Sequence, residues 1–120
     1  MDLTSNTSFK VENINQIKNR LKTYLRKDIQ FNEPHFTQQR LLRDGDIETV
    51  FNNILKPDKL IYVYSVEGKY GDRIYDLYFE VSNTRTLKLP AIFDRNNKKN
   101  LYILTYVMRY RKWQNMIKRP

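Results

Sequence analysis

The chain has no cysteine, and that single absence removes disulfide staples, thiolate metal sites and a cysteine nucleophile together. It has one histidine, His35, so a multi-histidine zinc site is excluded as well. Glycine is scarce, three in 120 residues, and no Gly-rich phosphate loop can be built from them. The GxSxG and HExxH motifs and the RRM aromatic signature are absent. Asp and Glu are dispersed, which supports neither glycosidase chemistry nor a carboxylate-held magnesium site. No apolar run approaches the roughly 18 residues of a membrane-spanning helix. The longest, Leu101 to Met108, reads as a buried strand. Met1 to Lys10 is polar, without the apolar segment of a secretory signal. The expectation is a soluble cytoplasmic protein with no metal and no cofactor.

What is present is positive charge and aromatic surface. Net charge is +9, and nine tyrosines lead an aromatic content of 13%. Such a field attracts phosphate backbones and gains affinity by releasing their counterions, while exposed rings offer unpaired bases a stacking face. A length of 120 residues fits one domain, residues 1–120, able to hold a core without staples. Residues 1–10 read as a flexible tail.

The hydrophobic period is helical first. Val11, Ile14, Ile17, Leu21 and Leu25 share one face of a helix whose other faces carry Lys18, Arg20, Lys22, Arg26 and Lys27. Asn32-Glu33-Pro34 opens a second helix reaching Arg43, with Gly45 as a left-handed stop. Asp46 caps a third, ended by Pro57-Asp58. Beyond Pro57 the period becomes two. Strands are expected at Leu60–Val66, Arg73–Val81, Thr86–Phe93 and Leu101–Tyr110, with Ser82-Asn83-Thr84-Arg85 as a hairpin-type connection between the second and third. In the second of these, Tyr75, Leu77, Phe79 and Val81 face the core, and Asp76 and Glu80 face water. Pro90 marks its strand as an edge or a bulge. Arg111 to Lys118 suggests a short terminal helix around Trp113. The expected fold is α+β: two to three N-terminal helices on a four-stranded, mainly antiparallel sheet, with a short C-terminal helix.

Three segments carry residues suited to chemistry. From Tyr106 to Trp113 cations alternate with aromatics, so Arg109, Arg111 and Lys112 can clamp phosphates while Tyr106, Tyr110 or Trp113 stacks on a base. Taken singly, Tyr106 and Trp113 read better as core aromatics. Arg40 and Arg43, three residues apart, are neighbours on a helix face, where they form either a phosphate clamp or a solvated pair near Asp44 and Asp46. His35 belongs to the residue type best suited to proton transfer near neutral pH, or is simply a surface residue. Lys98 and Lys99 add charge in the loop before the last strand.

The order of these motifs resembles a known group. Arg-Leu-Leu-Arg-Asp-Gly-Asp-Ile on a helix, Val-Phe-Asn-Asn-Ile-Leu-Lys-Pro-Asp-Lys-Leu after it, then strands of which the last reads Ile-Leu-Thr-Tyr-Val, is similar to the small RelE/ParE and BrnT-like toxin domains of the barnase–EndoU–colicin–RelE ribonucleases. The resemblance spans roughly Pro34 to Arg111. With Arg40 and Arg43 in the two arginine positions of that pattern, His35 stands one residue ahead of its histidine, and the turn at Arg43–Asp46 is one residue longer.

The resemblance implies a metal-independent endoribonuclease acting on messenger RNA, ribosome-associated messages included, and held by an acidic antitoxin. Its catalytic set would be drawn from His35, Arg40, Lys88, Tyr106 and Arg109. Arginine rarely carries protons, so Arg40 and Arg109 would act as electrostatic clamps. Arg43, Tyr110, Arg111, Lys112, Trp113, Lys98 and Lys99 would bind RNA. Two further readings remain open: a non-enzymatic nucleic-acid-binding protein of a mobile element, and a protein-interaction module.

Overall fold

Asn13 starts the first helix by accepting the Gln16 N–H at 3.0 Å, which satisfies one of the free donors of the first turn. The computed structural model describes residues 8–115. In it, α1 runs Ile14–Leu21, α2 His35–Leu42 and α3 Ile47–Leu55. Asp46 caps α3 through the Glu48 N–H at 3.1 Å. The expected first helix is therefore shorter than its apolar spacing suggests. Val11 belongs to a strand and Leu25 to the loop beyond, and both stay more than half exposed.

The strands are β1 Lys10–Val11, β2 Ile29–Phe31, β3 Leu60–Glu67, β4 Arg73–Ser82, β5 Arg85–Phe93, β6 Leu101–Ile103 and β7 Val107–Arg109. They form one seven-stranded sheet in the order β1-β3-β4-β5-β6-β2, with β7 also paired to β5. The pairings are antiparallel except β2 with β6, so the sheet is mixed. The α+β expectation holds, with three α-helices among the described residues. The four-stranded sheet does not: β1 and β2 come from the N-terminal half and add to its two ends. Strands of two and three residues are too short for an alternating pattern to announce them. Lys10 lies in β1, so the expected tail is shorter; residues 1–7 lie outside the described part.

The expected last strand is broken in two, and Pro90 accounts for the break. In the β5–β6 register Ala91 faces Ile103, so Pro90 falls opposite Leu104. The Leu104 N–H donates to the Pro90 carbonyl at 2.8 Å. Proline has no N–H to return, so that ladder bond cannot form. Asn32 fills the gap: its side-chain amide donates to the Leu104 carbonyl at 3.3 Å, and its own oxygen accepts the Tyr102 hydroxyl at 3.0 Å. When pairing resumes at Lys88–Val107, three residues on one strand have faced two on the other. This is a β-bulge, and it reverses the inward parity of everything after it. Ile103 faces the helices before the bulge; Tyr106 and Met108 do so after it.

The core lies between the helices and one sheet face, joining Ile17, Leu21, Phe36, Val50 and Ile54 to Val63, Leu77, Phe79, Leu87, Leu89 and Met108. Expectation fails on the opposite face, where Asp76 was to meet water and is 8% exposed, beside a fully buried Tyr78. Phe9 stacks on Tyr64 at 4.9 Å, and the 3-10 turn Trp113–Asn115 lies against β4. That single turn replaces the start of the expected terminal helix; residues 116–120, which would complete it, are outside the described part. No described helix is long and apolar enough to cross a membrane.

Burial pushes Tyr24 and Tyr78 each up to about 12, with Asp94 and Asp76 respectively adding to the rise; burial likewise raises Tyr64. Unfolded tyrosine ionises near 10, so between about pH 10 and 12 the unfolded chain loses protons that the folded chain keeps. Stability is therefore expected to fall with rising pH across that window, measured by urea unfolding at stepped pH. Asn32→Ala is expected to cost about 1–3 kcal/mol by the same method, because it strands the Leu104 carbonyl and the Tyr102 hydroxyl. Leu42→Ala, at a position 76% exposed, should stay within about 0.5 kcal/mol of the parent.

Candidate nucleic-acid interface

The C-terminus of α2 sets the geometry. The Gly45 N–H donates to the Arg40 carbonyl at 2.8 Å and the Asp44 N–H to the Leu41 carbonyl at 3.1 Å, a Schellman closure. Asp44 takes the left-handed position with φ of 51°, not Gly45 as expected. Glycine is needed next door for another reason. A methyl group on Gly45 would sit 2.5 Å from Tyr106 Cζ and 2.9 Å from Arg40 Cγ. The Tyr106 ring thus lies directly against the turn, and the Arg40 guanidinium donates back to the Gly45 carbonyl at 2.8 Å.

Tyr106 is 2% exposed, and Phe36 meets it edge-on at 6.1 Å. Burial raises its phenol above the ordinary value. Arg85, Arg40 and Arg43 pull it down, while Tyr110 adds to the rise. The hydroxyl therefore stays protonated at neutral pH and is able to donate a hydrogen bond. Around it is a small cavity of about 90 Å³ lined by Arg43, Asp44, Gly45, Asp46, Thr49, Arg85, Tyr106, Met108 and Tyr110. At roughly 30 Å³ per water it has room for a phosphate-sized group. Arg43 is oriented by Gln39, whose side-chain oxygen accepts from it at 2.7 Å. Arg85 lies 6.0 Å from the Tyr110 ring, and Tyr110 is 74% exposed at the mouth. The Nε donors of Arg40 and Arg85 are both buried without an acceptor.

Arg40, Arg43, Tyr106 and Tyr110 are thus brought together, whereas His35 stands at the opposite end of α2 from Arg40 and Arg43. Its Nε2 is 3.0 Å from the Thr105 hydroxyl, one residue before Tyr106, across the bulge. Lys88 and Arg109 are not part of this group. Lys88 faces Val107 in the β5–β7 register and Arg109 faces Thr86, while the intervening Leu87 and Met108 are core. Alternation therefore places Lys88 and Arg109 on the sheet face away from the helices. There Lys88 pairs with Asp76 at 3.6 Å, both side chains largely buried, and Arg109 donates to the Met108 carbonyl at 3.3 Å. A single catalytic cluster of Arg40, Lys88, Tyr106 and Arg109 is excluded by that parity.

Arg111 and Lys112 are exposed after β7, and the Arg111 carbonyl accepts from Thr86 at 2.9 Å. The side chain of Trp113 lies outside the described part. Lys98 and Lys99 are at the opposite end of β5 from Arg85. No group of three metal-ligating side chains occurs among the described residues. Reading the sequence missed Arg85, which was taken as hairpin. Its parity with Leu87 and Leu89 was the available signal for an inward-facing cation. Compared with protein-family models, curated proteins and solved structures, the chain finds no match in any of the three.

Gly45→Ala tests this packing. Neither Tyr106, set in the core, nor the turn can retreat freely, so a loss of about 1–3 kcal/mol is expected on urea unfolding. Gly71→Ala meets no atom within 4 Å, but its φ of 86° makes it a control for backbone strain alone.

Proposed function

We propose that this chain binds RNA at the Tyr106 pocket, with Arg43 and Arg85 closing on a backbone phosphate and Tyr110 stacking on an adjoining base. The observation that carries this reading is the buried Nε donor of Arg85, a residue that lines the pocket, with no acceptor among the described residues. A buried donor left unpaired costs about 1–3 kcal/mol, more when charged, and an anion in the pocket would relieve it. Guanidinium groups suit phosphate through their forked donors. An exposed Tyr at the mouth suits an unpaired strand, whose bases are free to stack. The motif order shared with RelE/ParE and BrnT-like domains favours RNA over DNA.

A second reading adds cleavage, favoured by the contact of His35 with Thr105, the residue before Tyr106. The RNA 2′-hydroxyl would attack phosphorus and expel the 5′-oxygen, leaving a 2′,3′-cyclic phosphate and a 5′-hydroxyl. His35 would move the proton, Tyr106 would donate a hydrogen bond and Arg40 would steady the charge.

Binding is tested by fluorescence anisotropy with a labelled single-stranded RNA. Arg43→Ala combined with Arg85→Ala should weaken affinity at least tenfold and lower the salt slope by about 0.7, the value for one phosphate contact on a single strand. Unchanged affinity in that variant would refute the site. Cleavage is tested with the same RNA in EDTA. His35→Ala should slow it by about 10²–10⁴ without loss of binding, and Arg109→Ala should leave the rate within about twofold. Intact RNA after prolonged incubation with the parent protein eliminates the second reading and leaves the first.

A further inference from the structure

The far end of β5 carries a second concentration of positive charge. From Arg85 to Phe93 is eight steps, about 26 Å at roughly 3.3 Å per residue, so this end is well separated from the Tyr106 pocket. Two adjoining clefts of about 490 and 500 Å³ share Lys98 and Lys99 as walls. The first also takes in Arg20, and the second Lys27 and Arg95.

Two of these five cations are committed within the fold. Arg20 pairs with Asp94 at 3.2 Å and lies 4.1 Å over the Phe93 ring, and Arg95 lies 3.9 Å over the Tyr102 ring. Lys27, Lys98 and Lys99 make no ion pair among the described residues. The two acids lining the clefts are also engaged. Asp94 accepts from Arg20 and Tyr24, and Asp28 accepts the Leu25 N–H at 2.8 Å.

The loop that presents the lysines has a fixed shape. Asp94, Asn96 and Asn97 take left-handed φ angles, which Asp and Asn tolerate best after glycine. The buried Asn100 amide donates to the carbonyls of Arg95 and Lys98. Its Oδ1 is buried in the wall of the second cleft without a donor.

From this end the chain leads through β2 toward α2. β2 is the end strand of the sheet and runs parallel to β6. Lys27 stands just before it, exposed Gln30 at its middle, and Asn32 and the His35–Thr105 contact just after it. We infer that Lys27, Lys98 and Lys99 form a second phosphate-contact site for the same RNA strand, which follows the β2 edge between the two ends of the sheet.

This inference rests on the RNA reading given above. At roughly 3.4 Å per phosphate in a stacked strand, about 26 Å corresponds to about eight nucleotides. A 4-mer can fill one site only, whereas a 12-mer can reach both.

The test is anisotropy with labelled single-stranded 4-mer and 12-mer RNA against the full chain. The triple variant Lys27→Ala, Lys98→Ala, Lys99→Ala is compared with the Arg43→Ala, Arg85→Ala double. The triple should weaken the 12-mer at least tenfold, lower its salt slope by about 2 and leave the 4-mer unchanged. The three lysines are exposed, so an unaltered melting temperature is expected in the variant. A 12-mer bound by the triple as tightly as by the parent overturns the second site. Equal weakening of 4-mer and 12-mer overturns its separateness. If the parent binds neither RNA, the reading on which it rests falls with it. If the triple weakens the 12-mer but the double weakens nothing, the lysine site stands and the Tyr106 pocket falls.

Discussion

A proline in the body of a sheet has to be accommodated by its neighbour, because it can accept a ladder bond but not return one. Here the neighbour gives way. Leu104 to Tyr106 leave the ladder opposite Pro90, Asn32 supplies the missing donor, and one extra residue enters the strand. The rest of the candidate site depends on that residue. Without the shift in parity, Tyr106 and Met108 would face away from the helices, and Thr105 and Val107 would take the inward positions. With it, a phenol is set against the turn after α2, and the Thr105 hydroxyl comes within reach of His35. A missing backbone hydrogen thus decides which side chains meet.

Much of the architecture could be read in advance where the period was long and the caps explicit. Asp46 and Pro57 bracket α3 as their chemistry requires, and β3 to β5 follow their alternation within a residue or two. β1 and β2 could not be read, since two or three residues show no period and their pairing depends on strands far along the chain. The bulge could be read only in part. Pro90 announced a bulge or an edge, but which strand would yield depended on Asn32 being close enough to take up the Leu104 carbonyl. The site inherited that gap. Arg40, Arg43, Tyr106 and Tyr110 were legible as a basic and aromatic group. Arg85 was hidden in a hairpin, and Lys88 and Arg109 were grouped with residues on the other side of the sheet.

The two sheet faces use charge differently. On the helix side, arginines crowd one buried phenol at the rim, and two of their donors have no acceptor among the described residues. On the other side, Lys88 and Asp76 neutralise each other among Tyr64 and Tyr78. Buried pairs of that kind are costly to break because either partner alone is an uncompensated charge. The net charge of +9 is therefore not uniform in what it can do. Part of it is satisfied in the fold, and part is held open at the rim of α2 and in the Asp94–Asn100 loop.

The brevity of the two end strands has a consequence of its own. A long flat edge with free donors and acceptors is a template on which another chain can add a strand. Here one end of the sheet is a two-residue strand carrying an exposed lysine, and the other is a three-residue strand in parallel pairing. Neither offers enough register for a neighbour to extend the ladder. Both of these ends are thereby guarded against edge-to-edge pairing.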